Sequence, residues 1–368
     1  MSFAWLLFLI IIAVLSNLAQ DRYKYHNVFR VLLVILLAFI TGFGGLTAAD
    51  HSQYAEAYKV YNSFDNFELS FSSLLGRVAA YESGFMLLMI LCNAIGLGEA
   101  GFFFVVALFV NGALIYYIYK HKLPVVALWA VFVSGFIGLQ TNLIRQSLAL
   151  AIILLFLDNL SEGKILKYLL GVLLASMFHT SAFLFLILLP ICFIKTENGI
   201  KVLNTILIGL VFISIFIWFG IIEVNILSYI DIIEAYEKYM SADNEVGGSQ
   251  RIAHSVIFTG VSLLVSFLYG KLDIKSATII SLAAIVSNIS MAYPNFERLK
   301  CYFVTLGYIS LVQYFDITQY KNKQDKVIVK SVYVIFALYF VLVILRTYWI
   351  TETPPVFGEV YSFDKFFK

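Results

Sequence analysis

The chain runs to 368 residues, of which 61% are hydrophobic and only 13% charged, with a mean hydropathy of +0.90. Soluble domains carry about a quarter charged residues, so water cannot be the solvent around most of this surface. A formal net charge of +2, without a basic run long enough to track a phosphate backbone, excludes nucleic acid as a partner.

A hydrocarbon core about 30 Å thick is crossed by roughly 20 residues of helix. Apolar runs recur near 3–19, 28–47, 83–97, 101–119, 123–140, 143–158, 165–179, 181–194, 202–220, 252–270, 275–293, 299–316 and 328–350. Leu150–Leu157 and Leu203–Phe219 do not alternate apolar with polar residues, which rules out a transmembrane barrel. The expectation is therefore an all-α, polytopic integral membrane protein with about 11–13 transmembrane helices forming a single membrane domain over 1–368. The first run, Phe3–Ala19, lacks a basic leader and a small-x-small cleavage site, so it reads as a retained span.

Residues 48–82 follow as an external loop lying on the membrane, with tyrosines at 54, 58 and 61 suited to headgroup level. The segment 83–97 is short, holds Asn93 and ends in Gly-Leu-Gly, and reads as a re-entrant or interfacial helix. From Lys120 onward, basic loops at Lys120–Lys122, Glu162–Lys167, Lys195–Lys201, Lys271–Lys275 and Lys321–Lys326 fall after every second span and mark the cytoplasmic side, as does Asp21–Arg30. The turns at Gln140–Asn142 and around His179, a second large loop near 221–250, the Asn295–Glu297 turn and the tail 351–368 then face outward. Cys92, Cys192 and Cys301 lie in or beside apolar runs without C-x-x-C spacing and read as packing residues.

Ionisable side chains at membrane depth cost a few kcal/mol on insertion scales, so each asks for a partner or a purpose. Arg145, next to Gln146, opens a span at its external end, where a guanidinium can hold an anion bidentately. His179 falls in an external turn, as a proton shuttle, a phosphate contact or a simply hydrogen-bonded ring. Glu297 and Arg298 begin a later span; Arg251 with His254, and Arg346, sit near the outer ends of two others. Arg145, Arg251, Arg298 and Arg346 together make a belt of guanidinium groups suited to a lipid-linked diphosphate. Asp50 and Glu82, at either end of the first loop, are candidates for a general base, or are helix caps or solvated loop residues. No metal-ligand spacing, nucleotide fingerprint or nucleophile elbow appears, so neither a metal nor an organic cofactor is expected.

The stretch Thr141–Ala151, with Arg145-Gln146 and Ala149, followed by Ala175–Ala182 with His179 and Ser181, resembles the R-Q-x-x-A and A-x-x-F-H-x-S-A motifs of EpsG/Wzy-type polysaccharide polymerases. Asp50 with Tyr54 and Tyr58 resembles the family's G-x-D-x-x-x-Y loop, Glu82–Phe85 its E-x-G-F segment, and Arg298 with Tyr302-Phe303 its R-x-x-x-Y-F motif. Ala48 and Ser83 stand where the family has glycine and proline. The resemblance implies a polymerase of the bacterial cytoplasmic membrane that joins undecaprenyl-diphosphate-linked repeat units at the periplasmic face into O-antigen, capsule or exopolysaccharide. It also implies a chain-length regulator as partner. In that setting Arg145, His179, Asp50 and Glu82 are the candidate catalytic residues. Arg145, Gln146, Arg251, Arg298, Glu297, Tyr54 and Arg346 are the candidate substrate contacts. A ligase acting on the same lipid donor, a flippase for it, and a non-catalytic scaffold are the alternatives.

Overall fold

A computed structural model describes residues 3–43, 50–66, 81–123, 125–222, 248–267, 274–293, 296–314 and 327. Every regular element among them is helical, and five helices are long and apolar enough to cross a membrane: His26–Phe43, Glu99–Lys120, Ile144–Ser161, Glu197–Trp218 and Ile274–Ala292. Shorter apolar helices accompany them, so the chain is an all-α multi-pass membrane protein. The candidate span 328–350, the tail 351–368 and most of the 221–250 loop lie outside the described residues, as do 44–49 and 67–80.

The chain divides into two compact units, one built on Met1–Leu189 and the other on Pro190–Asp316. In the first, α1 (Phe3–Leu18) packs on α2 (His26–Phe43). α3 (His51–Val60) and α4 (Ser83–Ala94) precede α5 (Glu99–Lys120), which packs against α2. Gly42 permits that approach, because a Cβ there would lie 2.8 Å from Phe104 Cα. The candidate span 123–140 is broken into α6 (Val126–Val133) and α7 (Phe136–Asn142) at Gly135, whose φ of +82° is cheap only for glycine. α8 (Ile144–Phe156), continued by α9 (Asp158–Ser161), packs on both α5 and α10 (Ile165–Ser176).

Lipid offers no hydrophobic drive for helix association, so polar contacts and close packing hold such a bundle together. Asn111 on α5 supplies one such contact: its amide donates to Thr41 Oγ1 on α2 at 3.1 Å and to Gln140 Oε1 on α7 at 2.8 Å, and Gln140 donates back at 3.2 Å.

The segment 83–97 contains α4, whose 12 residues rise only about 18 Å, too short to cross. Asn93 is buried because its amide donates to the Tyr58 and Tyr61 carbonyls at 2.9 and 3.0 Å, closing the C-terminus of α3. Tyr58 returns a bond to the Leu97 carbonyl at 2.8 Å and stacks on Phe102. Thus α3, polar in composition, is tied down by tyrosines and one asparagine.

After α10 the chain forms a 3-10 helix, Thr180–Cys192, of 13 residues. Runs beyond 3–4 residues are uncommon for this geometry. Its burial follows a period of three: Ala182, Phe185, Leu188 and Ile191 are inside, while Phe183, Leu184, Leu186 and Ile187 are exposed. Tyr168 on α10 donates to the Phe185 carbonyl at 2.8 Å, satisfying a backbone acceptor in the stretched helix.

In the second unit, α11 (Glu197–Trp218), α12 (Gly248–Phe267) and α14 (Phe296–Tyr314) pack around α13 (Ile274–Ala292). The 72% burial of the α13 span against 22% for α11 makes α13 the central helix. Asn288 on α13 donates to Ser214 Oγ on α11 and Thr259 Oγ1 on α12, both at 3.0 Å, and Ser262 pairs with Ser281 at 2.9 Å.

Candidate functional site

In the first unit, three chain segments far apart in sequence meet at one carboxylate. Glu82 occupies the N-cap position of α4, yet its side chain does not cap that helix. It points instead to Arg145 Nη1, at 2.6 Å, and accepts from the Thr180 backbone N–H at 3.1 Å and the Thr180 hydroxyl at 3.4 Å. His179 Nδ1 lies 3.7 Å from the same Glu82 oxygen that faces Thr180. The Glu82 side chain is 5% exposed and that of Arg145 23%, so the ion pair is largely removed from water.

Local structure explains how the arms meet. The Gly84 N–H donates to the Met177 carbonyl at 2.9 Å, and a Cβ on residue 84 would lie 2.7 Å from that oxygen. The E-x-G-F segment therefore docks edge-on against the turn carrying Phe178 and His179, and only glycine fits at the contact. Phe85 then packs against Tyr54, Tyr81 and Phe102.

Arg145 is the second residue of α8, where the helix macrodipole disfavours a cation and favours an anion. Its guanidinium carbon lies 4.9 Å from the Tyr81 ring centre and 5.7 Å from that of Tyr54. The aromatic faces and Glu82 offset the unfavourable position. Arg145 Nε, Gln146 Oε1 and Ser147 Oγ are all buried and make no hydrogen bond among the described residues. Three successive residues thus carry polar capacity that no other described residue takes up.

His179 Nδ1 accepts from the Ser181 backbone N–H at 3.3 Å, with Ser181 Oγ at 3.1 Å. An accepting Nδ1 puts the ring proton of the neutral form on Nε2. Asp50 precedes α3, and its backbone N–H donates to Asn142 Oδ1 at 3.1 Å, which ties the start of α3 to the end of α7. The Asp50 carboxylate does not cap α3. Burial raises the phenol pKa of Tyr54 and of Tyr81; Arg145 opposes the rise, and Asp50 adds to it for both rings, which puts that carboxylate within electrostatic reach of the cluster.

Sequence reasoning selected Asp50, Glu82, Arg145, Gln146, His179 and Tyr54, and the structure gathers all six into the first unit. It missed Tyr81 and Thr180. Thr180 acts chiefly through its backbone N–H, which any residue but proline supplies, so no side-chain signature could have marked it. The described ones among the remaining candidates belong to the second unit. Glu297 forms an ion pair with Lys300, whose side chain is 4% exposed, at the start of α14, where Arg298 is half-buried. His254 is buried on α12, its ring edge-on to Tyr308 at 5.7 Å. The Arg251 side chain and Arg346 lie outside the described residues. Among the described residues no three His, Cys, Asp or Glu side chains converge in a metal-binding group.

The family comparison can be set against this geometry. The model of the EpsG family matches residues 27–352, nearly the whole chain. The chain belongs to the EpsG family. EpsG proteins are Wzy-type polysaccharide polymerases that act on lipid-linked oligosaccharide, so this is a polymerase-type protein of a membrane. No curated protein and no solved structure matches the chain. The motif pairs that resembled EpsG in sequence, around Glu82, Arg145 and His179, are the segments whose side chains meet.

Proposed function

We propose that this EpsG protein polymerises undecaprenyl-diphosphate-linked repeat units at the periplasmic face of the bacterial cytoplasmic membrane, and that the cluster around Arg145 is its active site. The observation that carries this reading is the largely buried Arg145 at a helix N-terminus, its Nε without an acceptor among the described residues, held by the Glu82 carboxylate with an imidazole close by. That set matches what glycosyl transfer from a diphosphate requires.

In the reaction, a hydroxyl oxygen of the acceptor sugar attacks the anomeric carbon of the donor glycan. The bond from that carbon to the diphosphate oxygen breaks, and the diphosphate leaves with the electron pair. Arg145 neutralises the growing negative charge, the service a divalent metal gives many soluble glycosyltransferases; stabilising charge that develops in the transition state is commonly the largest catalytic contribution. His179 assists the phosphate through Nε2–H. The acceptor proton passes to a carboxylate. Before a diphosphate arrives, both oxygens of Glu82 are engaged, one by Arg145 and one by Thr180; Asp50 or Glu82 serves as the base. Attack in line inverts the anomeric configuration. Tyr54 lies against Arg145 and Gln146 follows it on α8, and both are proposed substrate contacts, while Arg251, Glu297, Arg298 and Arg346 remain proposed contacts to the second lipid-linked unit. A chain-length regulator with its own membrane anchors is the expected partner.

Surface polysaccharide from cells lacking the gene, complemented with wild type or Arg145→Ala at matched membrane levels, tests the proposal. The null strain and the variant should show single-repeat material only. Full-length polymer in the null strain would overturn the reading and favour the flippase or scaffold.

A further inference from the structure

The Glu82 carboxylate lies where an anionic ligand would be expected. The Arg145 guanidinium, the Thr180 amide and the Thr180 hydroxyl reach it from two segments, with the His179 ring just beyond at 3.7 Å. The guanidinium, the amide and the hydroxyl bind phosphate oxygens as readily as carboxylate oxygens. Resting on the polymerase reading, we propose that Glu82 is an internal stand-in for a substrate phosphate, and that the diphosphate binds by displacing it from this seat.

Three observations favour exchange over a permanent structural pair. First, the pair is single-toothed. Only Nη1 of Arg145 bonds Glu82, and Nε stays buried without an acceptor among the described residues. A phosphate could engage Nε and an Nη together, the fork geometry for which arginine is suited. Second, α4 does not need the Glu82 side chain where it is, because Gly84 N–H bonds the Met177 carbonyl and the Phe85 and Met86 N–H groups bond the Glu82 backbone oxygen. Third, Arg145 is the second residue of α8, where the helix macrodipole disfavours a cation, so its guanidinium gains from whichever anion sits beside it. An isolated buried arginine would be costly, so a resident carboxylate keeps the empty site folded. An arriving diphosphate restores the same charge balance with more oxygens to fill it.

The exchange makes a prediction with an unusual sign. Removing the negative charge at Glu82 should strengthen anion binding, because the internal competitor is gone and Arg145 is left unneutralised. The full chain, purified in detergent and in nanodiscs, would be titrated with inorganic diphosphate and with undecaprenyl diphosphate, reading the dissociation constant and the rise in Tm. Glu82→Gln should bind each probe at least tenfold more tightly than wild type. It should also start from a lower Tm and gain more from the ligand, as linkage requires. Arg145→Ala should bind neither, and Thr180→Val should erode part of the gain. Binding of the soluble probe alone would keep the exchange and assign the seat to a free diphosphate. Weaker binding by Glu82→Gln, in a sample still folded by gel filtration, would overturn the proposal and make Glu82 a positioning residue. So would the absence of binding by both wild type and Glu82→Gln. These readings are separate from the fate of the polymerase proposal, which the null strain decides.

Discussion

At the scale of single residues, charge geometry matters more than charge. Arg145→Lys keeps a cation but loses the planar fork and the Nε donor; polymer formation should fall by about 10²-fold, the order seen when one transition-state donor is removed, measured as incorporation of labelled repeat units in membranes. Gly84→Ala tests packing alone. With Met177 O 2.7 Å from the new Cβ, the two motif segments must part, and overpacking of this kind costs about 1–3 kcal/mol, visible as a lower Tm. His51, the first residue of α3 and buried with its ring 4.1 Å from that of Phe103, has its pKa lowered chiefly by desolvation. The unfolded chain then binds a proton that the folded one resists. Stability should decline as pH falls below the ordinary histidine value of about 6.5, and His51→Gln should flatten that decline in Tm measured from pH 7.5 to pH 5. The residue-level site was legible where chemistry sits in side chains. Arg145 and His179 are conspicuous polar residues beside apolar runs, and Asp50 and Glu82 stand at the ends of a polar loop, but the meeting of Glu82, Arg145 and the His179 turn depends on a backbone docking at Gly84 that spacing along the chain cannot reveal.

At the scale of elements, the 3-10 helix is the feature that pattern could not supply. Nearly every residue from Ala182 to Ile191 is apolar, so periods of 3.0 and 3.6 leave the same trace, and the segment reads as one more membrane helix. Structure distinguishes them by burial. Phe185→Ala should destabilise the protein by about 3 kcal/mol through the cavity it leaves, whereas Leu186→Ala, exposed to the surroundings, should cost little; an α-helical period would bring Leu186 as well as Phe185 onto the face of Ala182, and both variants would then be costly. Thermal unfolding of both variants in one detergent decides between them. The short helix α4 was more legible, because its length and Asn93 argued against a crossing, although the reason for Asn93, closure of α3, emerges only in three dimensions. The break at Gly135 within 123–140 went unread, since the run is apolar on both sides.

For the whole molecule, composition and run length gave the solvent, the helical class and the many crossings, because a bilayer constrains backbone hydrogen bonding more tightly than water does. What they could not give is the manner in which helices recognise one another in lipid. That recognition rests on small polar ties, Asn111 to Thr41 and Gln140 in one unit and Asn288 to Ser214 and Thr259 in the other. Asn288→Leu should release Ser214 and Thr259 and lower stability by about 1 kcal/mol, in line with interhelical hydrogen bonds measured in membranes, with an added packing penalty readable in the same unfolding assay.

The part played by the Thr180 amide has a consequence for genetics. Because a peptide N–H survives every replacement but one, an alanine scan through this turn would score position 180 as nearly dispensable, and sequence drift there would look like freedom. Proline alone would remove that N–H, so tolerance of other replacements at this site would understate its importance.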